Sequence, residues 1–191
     1  MSGPDDSPII LKNRRTVFEN SVFRLFSDHI ADANGNEVKD FLVVAPRNST
    51  PDMVTGVAII PVWNGRIVLL RTFRHPVQSE VLEAPRGFVD SGEAPPDAAL
   101  RELREETGLV CVPERLIPLG LSMPEPGVIA ARVALFAALD CREEDNAFCD
   151  EIGLGKRETF SLVQAEQLLK GMVLEDATTS LALHRFFRIH F

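Results

Sequence analysis

Hydrophobic residues in the first half of the chain follow strand-like patterns. The segments TVFENSVFRLFSDHI and EVKDFLVVAP favour strands, and Asn34-Gly35 between them is a strong hairpin signal. We interpret residues 14–46 as a small antiparallel β unit. Two more apolar runs, GVAIIPVW and RIVLLRTF, meet at Asn64-Gly65, which predicts a second hairpin.

The rest of the chain mixes short strands with helices. VLEAPRGF indicates a short strand leading into a loop, and strands are predicted at RLIPLGLS and VIAARVALFAAL. An acidic loop, CREEDNAFCDEIGLG, precedes RETFSLV, and two helices are predicted at QAEQLLKGM and EDATTSLALHRFFRIHF. Because these elements alternate without a regular βαβ period, the pattern favours an α+β fold with a mixed-sheet sandwich.

One further helix has clear boundary signals. In APPDAALRELREETG, Pro95 and Pro96 stand near the predicted start and Gly108 stands just past the predicted end. Leu100 and Leu103 give this helix an apolar stripe. We therefore expect its charged residues to take the opposite side.

The predicted elements divide the chain into three parts. Residues 1–13 are expected to be a flexible tail, residues 14–50 an N-terminal β unit and residues 51–191 the main domain. An isolated hairpin is only marginally stable in water. The β unit is therefore expected to pack on a partner chain.

Composition narrows the class of protein. The net charge of −8 argues against nucleic-acid binding, which needs a basic surface. No apolar run approaches the ~20 residues that span a bilayer, and the acidic start MSGPDDSPII is unlike a signal peptide. Three cysteines without C-x-x-C spacing suggest neither a disulfide framework nor a zinc site. We expect a cytoplasmic protein with no nucleic-acid or membrane partner.

The sequence RELREE places three glutamates on neighbouring helical turns. Glu102 lies beside Glu105 and Glu106 at helical spacing, and two such charges about 4 Å apart repel by roughly 4 kcal/mol at an effective dielectric of about 20. One explanation is a solvated face on which Arg101 and Arg104 neutralise the glutamates. The other is a ligand set for a hard divalent cation, which prefers oxygen donors.

The residues that flank RELREE favour the second explanation, a ligand set for a divalent cation. Nine positions fit every fixed position of the Nudix box, a pattern of Gly, five residues, Glu, seven residues and then Arg-Glu-apolar-x-Glu-Glu-x-Gly-apolar. These positions are Gly87, Glu93, Arg101, Glu102, Leu103, Glu105, Glu106, Gly108 and Leu109. The chain therefore resembles the Nudix hydrolases.

The resemblance extends beyond the box. RTFRHPVQSEVLEAPRGFVDSGE and the N-terminal β unit are similar to the ADP-ribose pyrophosphatase branch, and the similarity covers roughly residues 14–188. It implies an α/β/α sandwich around a mixed sheet, with the box forming loop, helix and loop. It also implies a homodimer that forms through the N-terminal β unit.

The resemblance assigns metal-site roles to the box and the residue before it. Glu102 and Glu106 would bind Mg²⁺ directly, with Mn²⁺ as a substitute, and the backbone carbonyl of Arg86 would complete one metal shell. Glu105 would share a second ion or act through water. Arg101 would orient the glutamates.

Three further box residues would have structural roles. Glu93 or Glu105 would pair with Arg101. Gly87 and Gly108 would let the chain turn tightly into and out of the helix, where a Cβ would be costly.

Residues outside the box would complete the site. The general base would be Glu151 in the acidic loop, with Glu125 in reserve. Many relatives carry a second acid two positions later, where this chain has Gly153. Arg74 would contact the diphosphate, unless it is a strand-end charge facing solvent. Glu83 would belong to the substrate site or help to bind metal, unless it forms a surface ion pair.

The activity that follows is Mg²⁺-dependent cleavage of the diphosphate in a nucleoside diphosphate sugar such as ADP-ribose. The products would be a nucleoside monophosphate and a sugar phosphate. The alternatives are another nucleotide substrate, namely a GDP-sugar, a deoxynucleoside triphosphate or coenzyme A, or a catalytically silent domain that senses a ligand.

Overall fold

A computed structural model of the chain describes residues 7–144 and 152–190, and for His190 only the backbone. The chain forms two compact units. The first consists of Met1–Asn48 with Glu125–Ala131, and the second of Ser49–Pro124 with Arg132–Phe191.

The first unit is built on a three-stranded antiparallel sheet. Its strands are β1 (Ile9–Glu19), β2 (Phe23–Asp32) and β3 (Glu37–Pro46), in that order across the sheet. The β2–β3 turn contains Asn34-Gly35, as predicted, with Gly35 at φ +85°. The Asp32 carboxylate accepts the backbone N–H groups of Asn34 and Asn36, which fixes the turn.

The first strand begins earlier than predicted. Residues 9–13 were assigned to a flexible tail, but Ile9 pairs with Asp32 and Leu11 with Ile30. The prediction was wrong for this segment. Every side chain of β1 is exposed, and the strand is held by backbone pairing with β2.

The segment 125–131 also differs from its prediction. The backbone N–H of Val44 donates to Val128, and the N–H of Ala130 donates to the carbonyl of Val44. Through these two bonds, both 2.9 Å long, the backbone of residues 128–130 pairs with Val44 of β3 in the first unit. The strand predicted from residue 128 therefore starts only at Arg132.

The second unit contains a mixed sheet of eight strands. They are β4 (Val54–Trp63), β5 (Arg66–Arg74), β6 (Ser79–Glu83), β7 (Arg86–Phe88), β8 (Leu109–Val110), β9 (Leu116–Ser122), β10 (Arg132–Glu143) and β11 (Leu154–Ser161). The order is β11-β5-β4-β10-β8, with β6 beside β5, β7 beside β4 and β9 beside β10. The pair β4–β10 is parallel and the other described pairs are antiparallel. The β4–β5 turn has positive φ at both Asn64 and Gly65, which confirms the second predicted hairpin.

Helices cover both faces of this sheet. They are α1 (Pro95–Thr107), α2 (Leu162–Lys170) and α3 (Ala177–His190). Alternate residues of β4 enter separate cores: Ile59 packs in one with Leu103 of α1, and Ile60 in the other with Leu183 of α3. The unit is therefore an α/β/α sandwich around a mixed sheet, as predicted. None of the described helices is long and apolar enough to cross a membrane.

Candidate metal and active site

Helix α1 buries two of its glutamates. Its buried face contains Glu102 and Glu106, which are 8% and 7% exposed, together with Leu103. Leu100, predicted to lie in the apolar stripe, is only half-buried. The expectation that the charges lie opposite the stripe was therefore wrong for these two residues. A solvated helix face does not explain them.

Arg101 is the cation that joins the carboxylates of the box. Its Nε and Nη2 donate to the two carboxylate oxygens of Glu93, both at 3.0 Å. Its Nη1 donates to Glu102 at 2.7 Å and to Glu105 at 3.1 Å. Arg101 therefore pairs with both Glu93 and Glu105, which the sequence offered as alternatives. This guanidinium offsets part of the repulsion among the glutamates.

These bonds also shift pKa values. The bonds to Glu93 are the largest cause that raises the pKa of Arg101 above its usual value. The same contact lowers the pKa of Glu93, with help from the backbone N–H of Asp90. Both groups are therefore fixed in their charged forms at neutral pH.

The two box glycines serve different purposes. Gly108 ends α1 with φ +68°, and its N–H donates to the carbonyl of Arg104, as expected for a tight turn after a helix. Gly87 lies in strand β7 rather than in a turn. A Cβ at Gly87 would lie 1.9 Å from Oε1 of Glu102, so the glycine makes room for that carboxylate. The sequence-based reason for Gly87 was wrong.

The backbone at Arg86 is held against the second buried glutamate. The N–H of Arg86 donates to Oε2 of Glu106 at 2.7 Å. One residue earlier, the carbonyl of Pro85 accepts the N–H of Ile59 at 2.9 Å. The segment before Gly87 is thus fixed to both α1 and β4.

These groups suit a divalent cation that a substrate helps to coordinate. In the described part of the chain, no three or more Asp, Glu, His or Cys side chains form a ready-made metal cluster. Mg²⁺ usually binds through one or two carboxylates and completes its shell with waters and substrate phosphates. Two buried carboxylates beside the Arg86 backbone fit that pattern, and do not fit a cage made of protein ligands alone.

Arg74 and Glu83 are brought together beside this site. Glu83 is only 3% exposed. Its two carboxylate oxygens accept Nη2 and Nε of Arg74 at 2.5 and 3.2 Å, and Nη2 of Arg86 lies 3.4 Å away. Glu83 is therefore a buried anion between two arginines. The sequence allowed for an ion pair at the surface, and that location is wrong because the Glu83 carboxylate is buried.

Of the two general-base candidates, the structure describes only Glu125. Glu151 is outside the described residues. Glu125 is exposed in a turn of the first unit, where its backbone carbonyl accepts the N–H groups of Val128 and Ile129. Gly153 has φ +90°, and a Cβ there would lie 2.9 Å from the carbonyl oxygen of Phe73. This crowding gives a local reason for glycine where many relatives carry an acid.

Sequence analysis missed two residues at the start of α3. Asp176 bonds to the Arg86 guanidinium, and Thr179 accepts the N–H of Ala84 at 2.8 Å. About ninety positions separate these partners along the chain. An aspartate just before a helical pattern predicts only a helix cap, so no sequence signal linked Asp176 to Arg86.

Comparison with known proteins identifies the family of this chain. The second unit is an α/β/α sandwich, and one of its helices, α1, carries two buried carboxylates. The sequence model of the NUDIX domain matches residues 53–182. The chain therefore belongs to the Nudix family, which confirms the resemblance seen in the box.

Two bacterial relatives match most of the chain. The methanol dehydrogenase activator of Bacillus methanolicus is 30% identical over 174 residues, covering 87% of this chain and 86% of that protein. The ADP-ribose pyrophosphatase of Bacillus subtilis (strain 168) is 27% identical over 172 residues, covering 89% and 88%. A solved structure of an ADP compounds hydrolase has a TM-score of 0.79 at 22% identity, covering 96% of this chain and 94% of that one. At that identity, the solved structure shows the shared fold.

Proposed function

We propose that the protein is a divalent-cation-dependent pyrophosphohydrolase that cleaves the diphosphate of a nucleoside diphosphate sugar, with ADP-ribose as the first candidate. Water adds to one phosphorus and the P–O–P bridge breaks, giving a nucleoside monophosphate and a sugar phosphate. The burial of Glu102 and Glu106 on one face of α1 carries this proposal. The ADP-ribose pyrophosphatase of Bacillus subtilis supports the choice of substrate.

The residues of this chain have separate roles in that reaction. Glu102, Glu106 and the carbonyl of Arg86 hold the cation, and Glu105 shares a second ion or acts through water. Mg²⁺, or Mn²⁺ in its place, supplies charge neutralisation at the phosphate oxygens and a lower pKa for the attacking water. Arg101 keeps Glu102 in place through its 2.7 Å bond.

Other residues contact the substrate and transfer the proton. Arg74 contacts the diphosphate, and Glu83 orients Arg74 through its two bonds to that guanidinium. Glu151 is the proposed base that takes the proton of the attacking water, with Glu125 as the reserve. A cytoplasmic location belongs to the same proposal.

The test is a substrate panel with purified protein and Mg²⁺. We expect AMP and ribose 5-phosphate from ADP-ribose, with the Glu106→Gln variant as the matched inactive control. The panel includes ADP- and GDP-sugars, deoxynucleoside triphosphates and coenzyme A, each followed by chromatography of the nucleotide product. Turnover of a triphosphate or coenzyme A alone would replace the proposed substrate class. No product from any substrate would favour a ligand sensor.

The first unit is proposed to mediate a homodimer. Strands β1 and β3 expose many large apolar side chains, and exposed apolar surface of this kind is typical of an interaction site. These residues are Ile9, Ile10, Leu11, Val17, Phe18, Val38, Phe41 and Leu42. We expect a dimer in sedimentation and a shift toward monomer in Phe18→Glu. A wild-type monomer at micromolar concentration would contradict this arrangement.

A further inference from the structure

The first turn of α3 holds the segment that carries Arg86. The side-chain oxygen of Thr179 accepts the N–H of Ala84 at 2.8 Å and Nη2 of Arg86 at 3.3 Å. The Asp176 carboxylate accepts the N–H of Thr179 at 2.7 Å, which caps the helix, and it also accepts Nη2 of Arg86. A helix outside the Nudix box is therefore bonded to the residue before the box.

Arg86 contacts three carboxylates, two through its guanidinium and one through its backbone. Asp176 bonds to it directly, Glu83 is 3.4 Å from Nη2, and Glu106 accepts the backbone N–H of the same residue. Burial alone would lower the pKa of Arg86, but the charges of Asp176, Glu83 and Glu106 more than offset this and raise it. Arg86 is therefore bonded to a proposed metal ligand through its backbone and to its anchor on α3 through its guanidinium.

Arg86 also has an unused donor. Within residues 7–144 and 152–190, its buried Nε has no hydrogen-bond partner. Nη2 is already shared between Asp176 and Thr179. A guanidinium released from Asp176 would keep its charge and would find Glu83 and Glu106 as the remaining anions nearby.

We propose that Asp176 is a positioning residue for the metal site, because its carboxylate holds the Arg86 guanidinium at the start of α3 and keeps that charge from pairing with Glu106. The inference rests on the metal-binding role of Glu106 in the proposed function. A cation and a free guanidinium would compete for the same carboxylate. Asp176 removes that competition.

The test compares Mn²⁺ binding by electron paramagnetic resonance, with a non-hydrolysable analogue of ADP-ribose bound to the protein. Asp176→Asn removes the charge but keeps a good helix cap, since asparagine caps as well as aspartate. We expect its Mn²⁺ affinity to fall about tenfold, the loss typical of groups that support metal ligands. The half-saturating Mg²⁺ concentration in the assay should rise by a similar factor, with kcat at saturating Mg²⁺ close to wild type.

Two further variants separate charge from structure. Ser161→Ala removes the capping box of α2, which has no bond to Arg86, and should leave Mn²⁺ affinity unchanged. In the double variant Asp176→Asn/Arg86→Met, loss of the competing charge should restore Mn²⁺ affinity. If Asp176→Asn does not fold, Asp176→Ser, which also caps, takes its place.

The outcomes distinguish this inference from the proposed function. Wild-type affinity in Asp176→Asn would overturn the inference, and so would a double variant that binds Mn²⁺ as weakly as the single one. If the wild-type protein binds no Mn²⁺ in the presence of the ADP-ribose analogue, the proposed metal site fails, and the role of Asp176 fails with it.

Discussion

The carboxylate of Glu102 occupies the space that a side chain at Gly87 would need. An ideal Cβ on Gly87 would lie 1.9 Å from Oε1 and 2.0 Å from Cδ of Glu102. The Glu102 carboxylate can take this position only because residue 87 has no side chain. One contact thus links a glycine of the box to a proposed metal ligand.

Gly87→Ala should displace Glu102 and break its bond to Arg101. We expect kcat/KM to fall by about a hundredfold, because a shift of about 1 Å in a catalytic group has that cost. The control is Gly127→Ala, where the nearest atom to the new Cβ would be 3.4 Å away. Steady-state kinetics within twofold of wild type for Gly87→Ala would show that Glu102 needs no such fit.

Glu106→Gln should remove the charge of a buried metal ligand while keeping an oxygen that can accept the N–H of Arg86. A lost ligand is expected to cost several kcal/mol of transition-state stabilisation, which is on the order of a thousandfold in kcat. Thermal unfolding by circular dichroism should show an intact fold. The control is Glu114→Gln, at an exposed position of the same unit. Wild-type kcat in Glu106→Gln would rule out the metal role.

Local signals in the sequence predicted much of this fold. Pro95, Pro96 and Gly108 marked α1 correctly, and both Asn-Gly pairs form turns. The spacing of the box also identified the acidic helix. These features depend on residues close together in the chain, where backbone preferences and helical spacing decide the outcome.

Long-range contacts account for what the sequence did not reveal. The reason for Gly87 depends on a side chain fifteen positions later, and the Asp176–Arg86 pair joins elements far apart in the chain. The backbone of Val44 determines where residues 128–130 pair. Such contacts follow from the folded arrangement rather than from local patterns.

Arg101→Lys tests whether the planar donor geometry of arginine is needed, because lysine keeps the positive charge and lacks that geometry. Lysine cannot bond to both oxygens of Glu93 and also reach Glu102 and Glu105. We expect kcat to fall about tenfold or more and the melting temperature to decrease. Arg104→Lys, on the same helix, changes a pair with the exposed Glu144 and should alter neither value much. Equal kinetics in the two variants would exclude an orienting role for Arg101.

Asp28→Asn should remove a pH-dependent contribution to the stability of the first unit. Its bond to Arg14 lowers the pKa of Asp28, so this contribution is complete above the unfolded-state pKa of about 3.9. It is then lost as the pH falls through the lower folded-state value. Hydrogen bonds to charged groups contribute about 2 kcal/mol.

The measurement for Asp28 is thermal unfolding of both proteins between pH 7 and pH 2. The variant should melt lower at pH 7, and the difference should shrink as the pH falls below about 4. Asp40→Asn, at an exposed position of β3, serves as the control and should melt like the wild type. A difference that stays constant down to pH 2 would contradict the assigned cause.

The most direct test of the metal site is anomalous diffraction from crystals soaked in Mn²⁺ with a non-hydrolysable analogue of ADP-ribose. We predict an anomalous peak between the carboxylates of Glu102 and Glu106, with metal–oxygen distances of about 2.0–2.5 Å, and the carbonyl oxygen of Arg86 in the same shell. If the analogue is bound but Glu102 and Glu106 have no Mn²⁺ between them, the account is wrong.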